Sequence, residues 1–504
     1  TRAAGRATSR SRRTASATMT DSTTPAPEPR PAKKPMDLNR RPMPNQPAEE
    51  RIRTFTEVAL GYTMELAAAE AQRCLDCKKP RCVEGCPVNV NIPGFIRELA
   101  AGDLQAAVTS LREDNLLPAI CGRVCPQETQ CEALCVLAKR QGEVAIGRLE
   151  RFVADCASAE GLLMTPAVAP PSGKRVAVVG SGPAGLTAAA DLLRLGHEVT
   201  VYEALHEPGG VLIYGIPEFR LPKDIVRAEI DQIRALGAEI VCDFVVGQSA
   251  TLSELRAQYD AVFVGTGAGL PWFMGLPGEN LVGVMSANEY LTRVNLLKGY
   301  RRGAATPVPR PRVAAIIGAG NVAMDAARTA RRLGAREVHI VYRRSREEVP
   351  ARAEEVEHAE EEGIIFDFLS LPVAFGGEGG RLTSMTIQRQ QLGEPDDRGR
   401  RRPEPIEGSE YEMPCDLAIM AIGQSPNPLV TNTTPDLATS RRGTIVADEE
   451  TGRTNLEGVF AGGDVVTGQA TVILAMGAGR KAAASIDEWL RTGVWVPEAE
   501  AEGE

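Results

Sequence analysis

Nowhere in the 504-residue chain is there a run of about eighteen apolar residues, the length a helix needs to cross a bilayer. An excess of positive charge is missing too. The formal net charge is −9 and the isoelectric point is near 5.4. A nucleic-acid binder needs a basic face, so that class of function is excluded. Cysteine is scarce outside one segment: eight of the eleven lie between Cys74 and Cys135, leaving Cys156, Cys242 and Cys415 elsewhere. A disulfide framework suits a small secreted domain. Here the thiols head a large chain with no secretory signal, so bound metal in a reducing, cytoplasmic compartment is expected. No catalytic acid–base pair stands out.

The length suffices for two or three domains, and 43% apolar residues is ordinary for a soluble globular protein. Residues 1–18 are rich in Arg, Ser, Ala and Thr and have no acid. This composition is that of an organellar transit peptide, or of sequence upstream of a start at Met19 or Met36. The stretch 24–47 is rich in Pro and charge and is expected to lack a fixed fold. A helical, cysteine-rich block follows. From Lys174 the texture becomes short apolar strands, glycine turns and Ala/Leu-rich helices, which reads as βαβ units on a parallel sheet. The Pro/Ala-rich stretch 167–173 separates the two textures.

The α/β part carries one device twice. KRVAVVGSGPAGLTAAADLLRLGHEVTVYE and PRVAAIIGAGNVAMDAARTARRLGAREVHIVYRRS are each strand, glycine turn, Ala-rich helix and second strand. Two copies imply two dinucleotide sites. In the first turn Gly180 permits a tight bend, Gly182 lets backbone approach a pyrophosphate, and Gly185 lets helix and strand pack closely. Pro183 and Ala184 open the helix, whose amides face phosphate charge. Glu203 ends the second strand, placed to accept from ribose hydroxyls. The second turn uses Gly318, Gly320 and Ala323, with Asn321 and Val322 at the helix start. Arg343 and Arg344 stand where the first copy has its acid. A guanidinium pairs with a ribose 2′-phosphate and an acid repels it, so the first site suits FAD and the second NADPH. The competing reading of Arg343 and Arg344 is a solvated charge run.

The cysteines read C-x₂-C-x₄-C-x₃-C and then C-x₃-C-x₅-C-x₃-C. Neither fits the paired C-x₂-C arms of a zinc ribbon well. Short spacings, with Pro following Cys86 and Cys125, favour iron–sulfur clusters. Eight thiolates suffice for two [4Fe–4S] clusters, and two structural zincs are the alternative.

The chain from about residue 41 to 490 resembles the small (beta) subunit of NADPH-dependent glutamate synthase and its relatives. Those include the large subunit of NADH-dependent reduced ferredoxin:NADP oxidoreductase and the N-terminal part of dihydropyrimidine dehydrogenase. RCLDCKKPRCVEGCPVNVNIPGFI, ICGRVCPQETQCEALC, VVGSGPAGL, PGGVLIYGIPEFRLPK, VFVGTGAG, IIGAGNVAMD, VYRRSREEVPA, AIGQSPN and GVFAGGDVVTG carry it in family order. The resemblance implies an α/β fold with two Rossmann-like domains, the NADPH domain inserted in a split FAD domain, preceded by a helical domain with two [4Fe–4S] clusters. It implies Cys74, Cys77, Cys82 and Cys135 for one cluster. For the other it implies Cys86, Cys125, Cys131 and a non-cysteine ligand, Glu150, leaving Cys121 over. It also places Gly210, Leu212, Tyr214, Gly267, Gly463, Asp464, Thr471, Val472 and Ile473 near FAD. Outside the resemblance, AGGD reads equally as an ordinary tight turn.

The expected layout is a tail at 1–50, an iron–sulfur domain at 51–166, FAD domain at 174–300 and 411–492, NADPH domain at 305–410, and a tail at 493–504. The implied function is electron input from NADPH through FAD and [4Fe–4S] clusters to a partner that makes glutamate from glutamine and 2-oxoglutarate. The expected partner is the glutamate synthase large subunit. The alternative is the electron-bifurcating oxidoreductase, with a small flavin/[2Fe–2S] partner. A non-catalytic assembly subunit is the third reading, set against the intact glycine turns, Arg343 and the seven family cysteines. Anaerobically purified protein is expected to hold about one FAD and about two four-iron clusters per chain by flavin and metal analysis. Stoichiometric zinc without iron overturns that expectation.

Overall fold

Helices begin where small polar residues precede apolar stripes. The side chains of Thr63, Asn91 and Asp103 accept backbone N–H groups at the starts of Met64–Ala71, Ile92–Ala100 and Leu104–Asp114. Pro118–Val124 and Ile146–Ala159 complete the N-terminal helical layer. Phe95, Ile96, Leu117, Ile120 and Leu149 fill its interior, and this core runs without a break into that of the first α/β domain. The computed structural model describes residues 39–140, 142–162, 166–395 and 401–495.

Two five-stranded parallel sheets follow; four neighbouring strands of each are ordered alike, while the edge strand is the last in sequence in the first sheet and the first in sequence in the second. In the first, Val459–Ala461, Ala261–Val264, Arg175–Val179, Glu198–Tyr202 and Glu239–Val241 lie side by side. In the second the order is Val284–Ser286, Leu417–Met420, Val313–Ile317, Glu337–Tyr342 and Ile365–Phe368. Strands buried on both faces read as continuous apolar runs, as in VAAII and LAIM. The chain passes between the two domains through a short antiparallel pair, Leu270–Pro271 with Gln424–Ser425. An antiparallel sheet, Ser370–Glu378, Arg381–Pro395, Arg401–Pro405 and Tyr411–Pro414, packs onto the second domain.

Four expected boundaries move. Leu417–Met420 pairs with Val313–Ile317 and Val284–Ser286, so it belongs to the second sheet and not to the returning FAD segment at 411–492. Val284–Ser286 and helix Ala287–Val294 likewise leave the expected 174–300 segment, because Tyr290, Leu291 and Val294 pack in the second core. An all-apolar parallel strand fits either sheet locally, so only its partners decide. The expected tail also shrinks. Residues 39–50 carry a bridge from Asn45 to Ala59, and Arg40 pairs with Glu132 and Glu143. At the other end Trp495 packs edge-on against Phe460 and Trp489. Residues 1–38 and 496–504 of the expected tails lie outside the described residues.

A buried charge network joins the N-terminal segment to the second domain. Glu362 accepts from Arg51 Nε at 2.9 Å, Arg328 Nη2 at 2.8 Å and Arg332 Nη1 at 2.6 Å. Burial pushes its carboxyl up, yet the guanidinium groups of Arg332 and Arg328 win and hold it down at about 2. Arg328 and Arg332 also lie over the ring of Phe219, 4.9 and 3.9 Å from its centre. Removing one partner of a buried pair strands the remaining charge. Glu362→Leu is therefore expected to lower unfolding free energy by about 3–5 kcal/mol, read as a fall in the denaturant midpoint at unchanged m-value. A midpoint equal to wild type refutes the network's role.

Candidate functional site

Each glycine turn does what its geometry requires. Gly180 and Gly318 adopt φ of +99° and +118°, a region closed to most side chains. A Cβ on Gly185 would sit 1.9 Å from the Gly180 carbonyl oxygen, so helix Pro183–Arg194 approaches its strand only with glycine there. At Gly182 and Gly320, which precede helices Pro183–Arg194 and Asn321–Arg332, an added Cβ would meet nothing within 4 Å. Both turns thus present open backbone at a helix N-terminus, the cradle a pyrophosphate needs. Ala323 is fully buried in the second helix, while Val322 is half-buried.

Glu203 is buried beside the first turn. Its Oε2 accepts from the Ser181 amide at 3.0 Å and hydroxyl at 2.5 Å, and its Oε1 from Leu205 N at 2.8 Å. Ser181 Oγ in turn accepts from Gly209 N at 2.9 Å. Ser181 carries no signal in the sequence beyond its place inside GSGPAG; it links the turn, the acid and the Gly209–Gly210 bend.

The last helix, Val472–Thr492, closes this side. Thr471 caps it by accepting from Leu474 N at 3.4 Å. A Cβ on Gly463 would touch Ala184 and Ala475, which joins the AGGD bend to the first turn and the last helix. Burial pushes the Asp464 carboxyl up to about 6. Burial, then the charges of Asp464 and Glu203, raises Tyr214 to about 12. Tyr214 thus lies within electrostatic reach of Asp464 and Glu203, and a Cβ on Gly210 would sit 2.9 Å from Gly182 Cα. Gly267 takes φ +70° just beyond strand Ala261–Val264.

The two candidate arginines diverge. Arg343 is exposed, and its guanidinium makes no ion pair or hydrogen bond among the described residues. Arg344 is half-buried and donates from Nε to the Arg401 carbonyl at 3.3 Å, tying its loop to strand Arg401–Pro405. Asn321 Oδ1 accepts from Arg352 N at 3.0 Å. Arg352 in turn donates to the Arg123 carbonyl at 3.0 Å and to Gln127 Oε1 at 3.1 Å, so the second turn is braced against the helical domain.

All the cysteines are free thiols. Cys74, Cys77, Cys82 and Cys135 line a single pocket with Leu75, Pro80, Leu134 and Val136. Burial raises the Cys74 and Cys82 thiols, the latter to about 11. Cys86, Cys125, Cys131 and Glu150 form a second group whose charges act on one another. Burial lifts Cys86 to about 11 and Cys131 well above the thiol range; for Cys125 a hydrogen bond with Cys121 acts first and burial second. Burial also lifts Glu150 to about 8, against the hydrogen bond from Asn115. Among the described residues no three such side chains stand close enough to hold one metal ion. The first four thiols line one pocket, the arrangement that a four-thiolate cluster requires.

Two family models match. One, described as dihydropyrimidine dehydrogenase domain II, 4Fe-4S cluster, matches residues 51–162. The other, pyridine nucleotide-disulphide oxidoreductase, matches residues 174–482. The chain is 37% identical over 468 residues to the glutamate synthase [NADPH] small chain of Azospirillum brasilense, covering 91% of this chain and 96% of that one. It is 41% identical over 444 residues to the NADP(+)-dependent formate dehydrogenase subunit beta of Moorella thermoacetica; that match covers 84% of this chain and only 61% of the longer relative. Among solved structures, FprA of Mycobacterium tuberculosis in complex with NADPH superposes with a TM-score of 0.54 at 21% identity, over 64% of this chain and 85% of that one. This last likeness speaks for the fold.

Arg343→Ala is expected to weaken NADPH binding by about 1.5–3 kcal/mol, the worth of a charge-assisted contact, with NADH binding unchanged. Titration of both nucleotides against each variant checks it. Equal losses for the two assign Arg343 to the solvated surface.

Proposed function

The chain belongs to the glutamate synthase [NADPH] small-chain family, and from that premise we propose that it delivers electrons from NADPH to a large amidotransferase-type subunit that makes glutamate from glutamine and 2-oxoglutarate. It is an NADPH-dependent FAD/iron–sulfur oxidoreductase of this family. The observation that carries the reading is the last helix. Val472–Thr492 packs through Gly479 on the helix of the first glycine turn and meets the cysteine-rich domain where Met476 Sδ lies 3.4 Å from Cys121 Sγ.

When bound, FAD would take a hydride from NADPH and the clusters would pass on single electrons. The chain's own residues bind and orient. Gly180, Gly182, Pro183, Ala184, Gly185 and Glu203 would hold FAD from one end, with Gly210, Leu212, Gly267, Gly463, Asp464, Thr471, Val472 and Ile473 on the ring and ribityl side. Gly318, Gly320, Asn321, Val322 and Ala323 would cradle the NADPH pyrophosphate, and Arg343 would meet its 2′-phosphate, with Arg344 holding the loop. Cys74, Cys77, Cys82 and Cys135 would ligate one [4Fe–4S] cluster, and Cys86, Cys125, Cys131 and Glu150 a second. The buried thiols must lose protons to do so, so loading is coupled to proton release. Iron–sulfur ligation by so many thiols suits a reducing compartment, and we place the chain in the cytoplasm. No helix among the described residues is long and apolar enough to cross a membrane.

The test separates binding from export. Cys86→Ser or Cys131→Ser is expected to spare flavin bleaching by NADPH, followed by stopped flow, and to abolish glutamate formation with the large subunit. Full glutamate synthesis by a folded, cluster-depleted variant refutes the reading.

A further inference from the structure

Asn115 lies between helices Leu104–Asp114 and Pro118–Val124 and is buried. Its amide has one orientation that satisfies its neighbours. Leu117 N–H donates to Oδ1 at 2.9 Å, so Nδ2 faces Glu150 and donates to Oε1 at 2.6 Å. The flipped amide would set N–H against N–H and oxygen against carboxylate. Oδ1 also lies 3.7 Å from Cys121 Sγ, and that sulfur lies 3.4 Å from Met476 Sδ on the last helix. The approach is close because residue 477 is glycine: a Cβ there would sit 2.8 Å from the Pro87 carbonyl oxygen, next to Cys86. Arg480 reinforces the seam, pairing with Asp191 at 3.0 Å and donating to the carbonyls of Val88, at 3.2 Å, and Asp114. One side chain thus touches the carboxylate of the second ligand group and the thiol that bridges to the last helix.

We propose that Asn115 is the positioning residue of the second cluster: it fixes the Glu150 carboxylate as the fourth ligand and, through Cys121 and Met476, keeps that ligand set in register with the helix that begins at the candidate flavin site. The inference rests on the proposed role of Glu150. A glutamate has three side-chain torsions to fix before it can ligate, and the Asn115 amide holds the carboxylate at their far end. A hydrogen bond that orients a ligand typically contributes 10–100-fold in metal affinity, about that range when deleted. Leucine at 115 keeps the volume and removes the donor. Aspartate keeps the shape, removes the donor and adds a charge facing the carboxylate.

The full chain, purified anaerobically as Asn115→Leu, Asn115→Asp and Glu150→Gln, is assayed for iron and FAD content, for iron loss to a chelator, and for the EPR signals and midpoint potentials of the reduced clusters. In Asn115→Leu, one of two cluster signals is expected to shift in the same sense as in Glu150→Gln, with iron loss from that cluster about 10–100-fold faster. Asn115→Asp is expected to lower the midpoint potential of that same cluster. The other cluster and the FAD content stay as in wild type. If Glu150→Gln leaves both signals unmoved, Glu150 is no ligand, and the assignment and this inference fall together. If Glu150→Gln moves a signal while both Asn115 variants leave it in place, the ligand assignment stands and the positioning role is overturned. Loss of flavin and both clusters together in both Asn115 variants also overturns it, since Asn115 would then serve the fold as a whole.

Discussion

The redox site depends on a contact made without side chains. A Cβ on Gly479 of helix Val472–Thr492 would lie 2.2 Å from the Ala184 carbonyl oxygen. The final helix therefore rests directly on the helix that opens the first glycine turn. Any larger residue would lift the two apart. With that approach made, Gly463 comes to Ala184, Met476 comes to Cys121, and Gly477 comes to the Pro87 carbonyl. Backbone packing at this distance is the means by which a C-terminal segment completes a site begun almost three hundred residues earlier.

A second constraint is electrostatic. Arg220, in the segment that follows Tyr214, donates both ways to Asp325 at 2.8 and 2.7 Å and reaches Glu355 at 3.2 Å. Asp325 lies one turn into the helix that Gly320 opens. Burial pushes the Asp325 carboxyl up to about 6 despite the Arg220 guanidinium, so this pair costs solvation and repays it through orientation. Buried ion pairs seldom stabilise more than apolar packing of equal volume. What they contribute here is direction: the guanidinium fork accepts few angles. Together with the Glu362 cluster and Arg352, they hold the second glycine turn against both the flavin-side segment and the helical domain. The first and second turns are therefore registered to each other by charge, where the first turn and last helix are registered by shape.

Much of this was legible along the chain. The two glycine turns, the acid and arginines that distinguish them, the cysteine-rich helical block and the linker at 167–173 all follow from local rules. A residue at φ near +100° must be glycine, a helix N-terminus favours phosphate, and clustered thiols in a chain of this size favour metal. Less legible was what each polar group does once folded. Arg343 and Arg344 are adjacent and alike in sequence, yet among the described residues the first has no partner and the second is engaged by strand Arg401–Pro405. Asn115 gives no signal, since a lone asparagine after a helix reads as a cap. The Pro-rich stretch 39–50 reads as tail until Arg40 finds Glu132 and Asn45 bridges Ala59.

By itself, then, the sequence determined the kind of chain this is: two dinucleotide folds behind a thiol-bearing helical block, since turns and periodicity depend on neighbours within a few residues. Only tertiary structure decided which sheet Leu417–Met420 completes, which arginine strand Arg401–Pro405 engages, and which side chain holds Glu150. An apolar strand satisfies either parallel sheet, and a guanidinium or amide satisfies any acceptor within reach. Their partners lie tens to hundreds of residues away, and the choice among them is made by packing, after the local elements have formed.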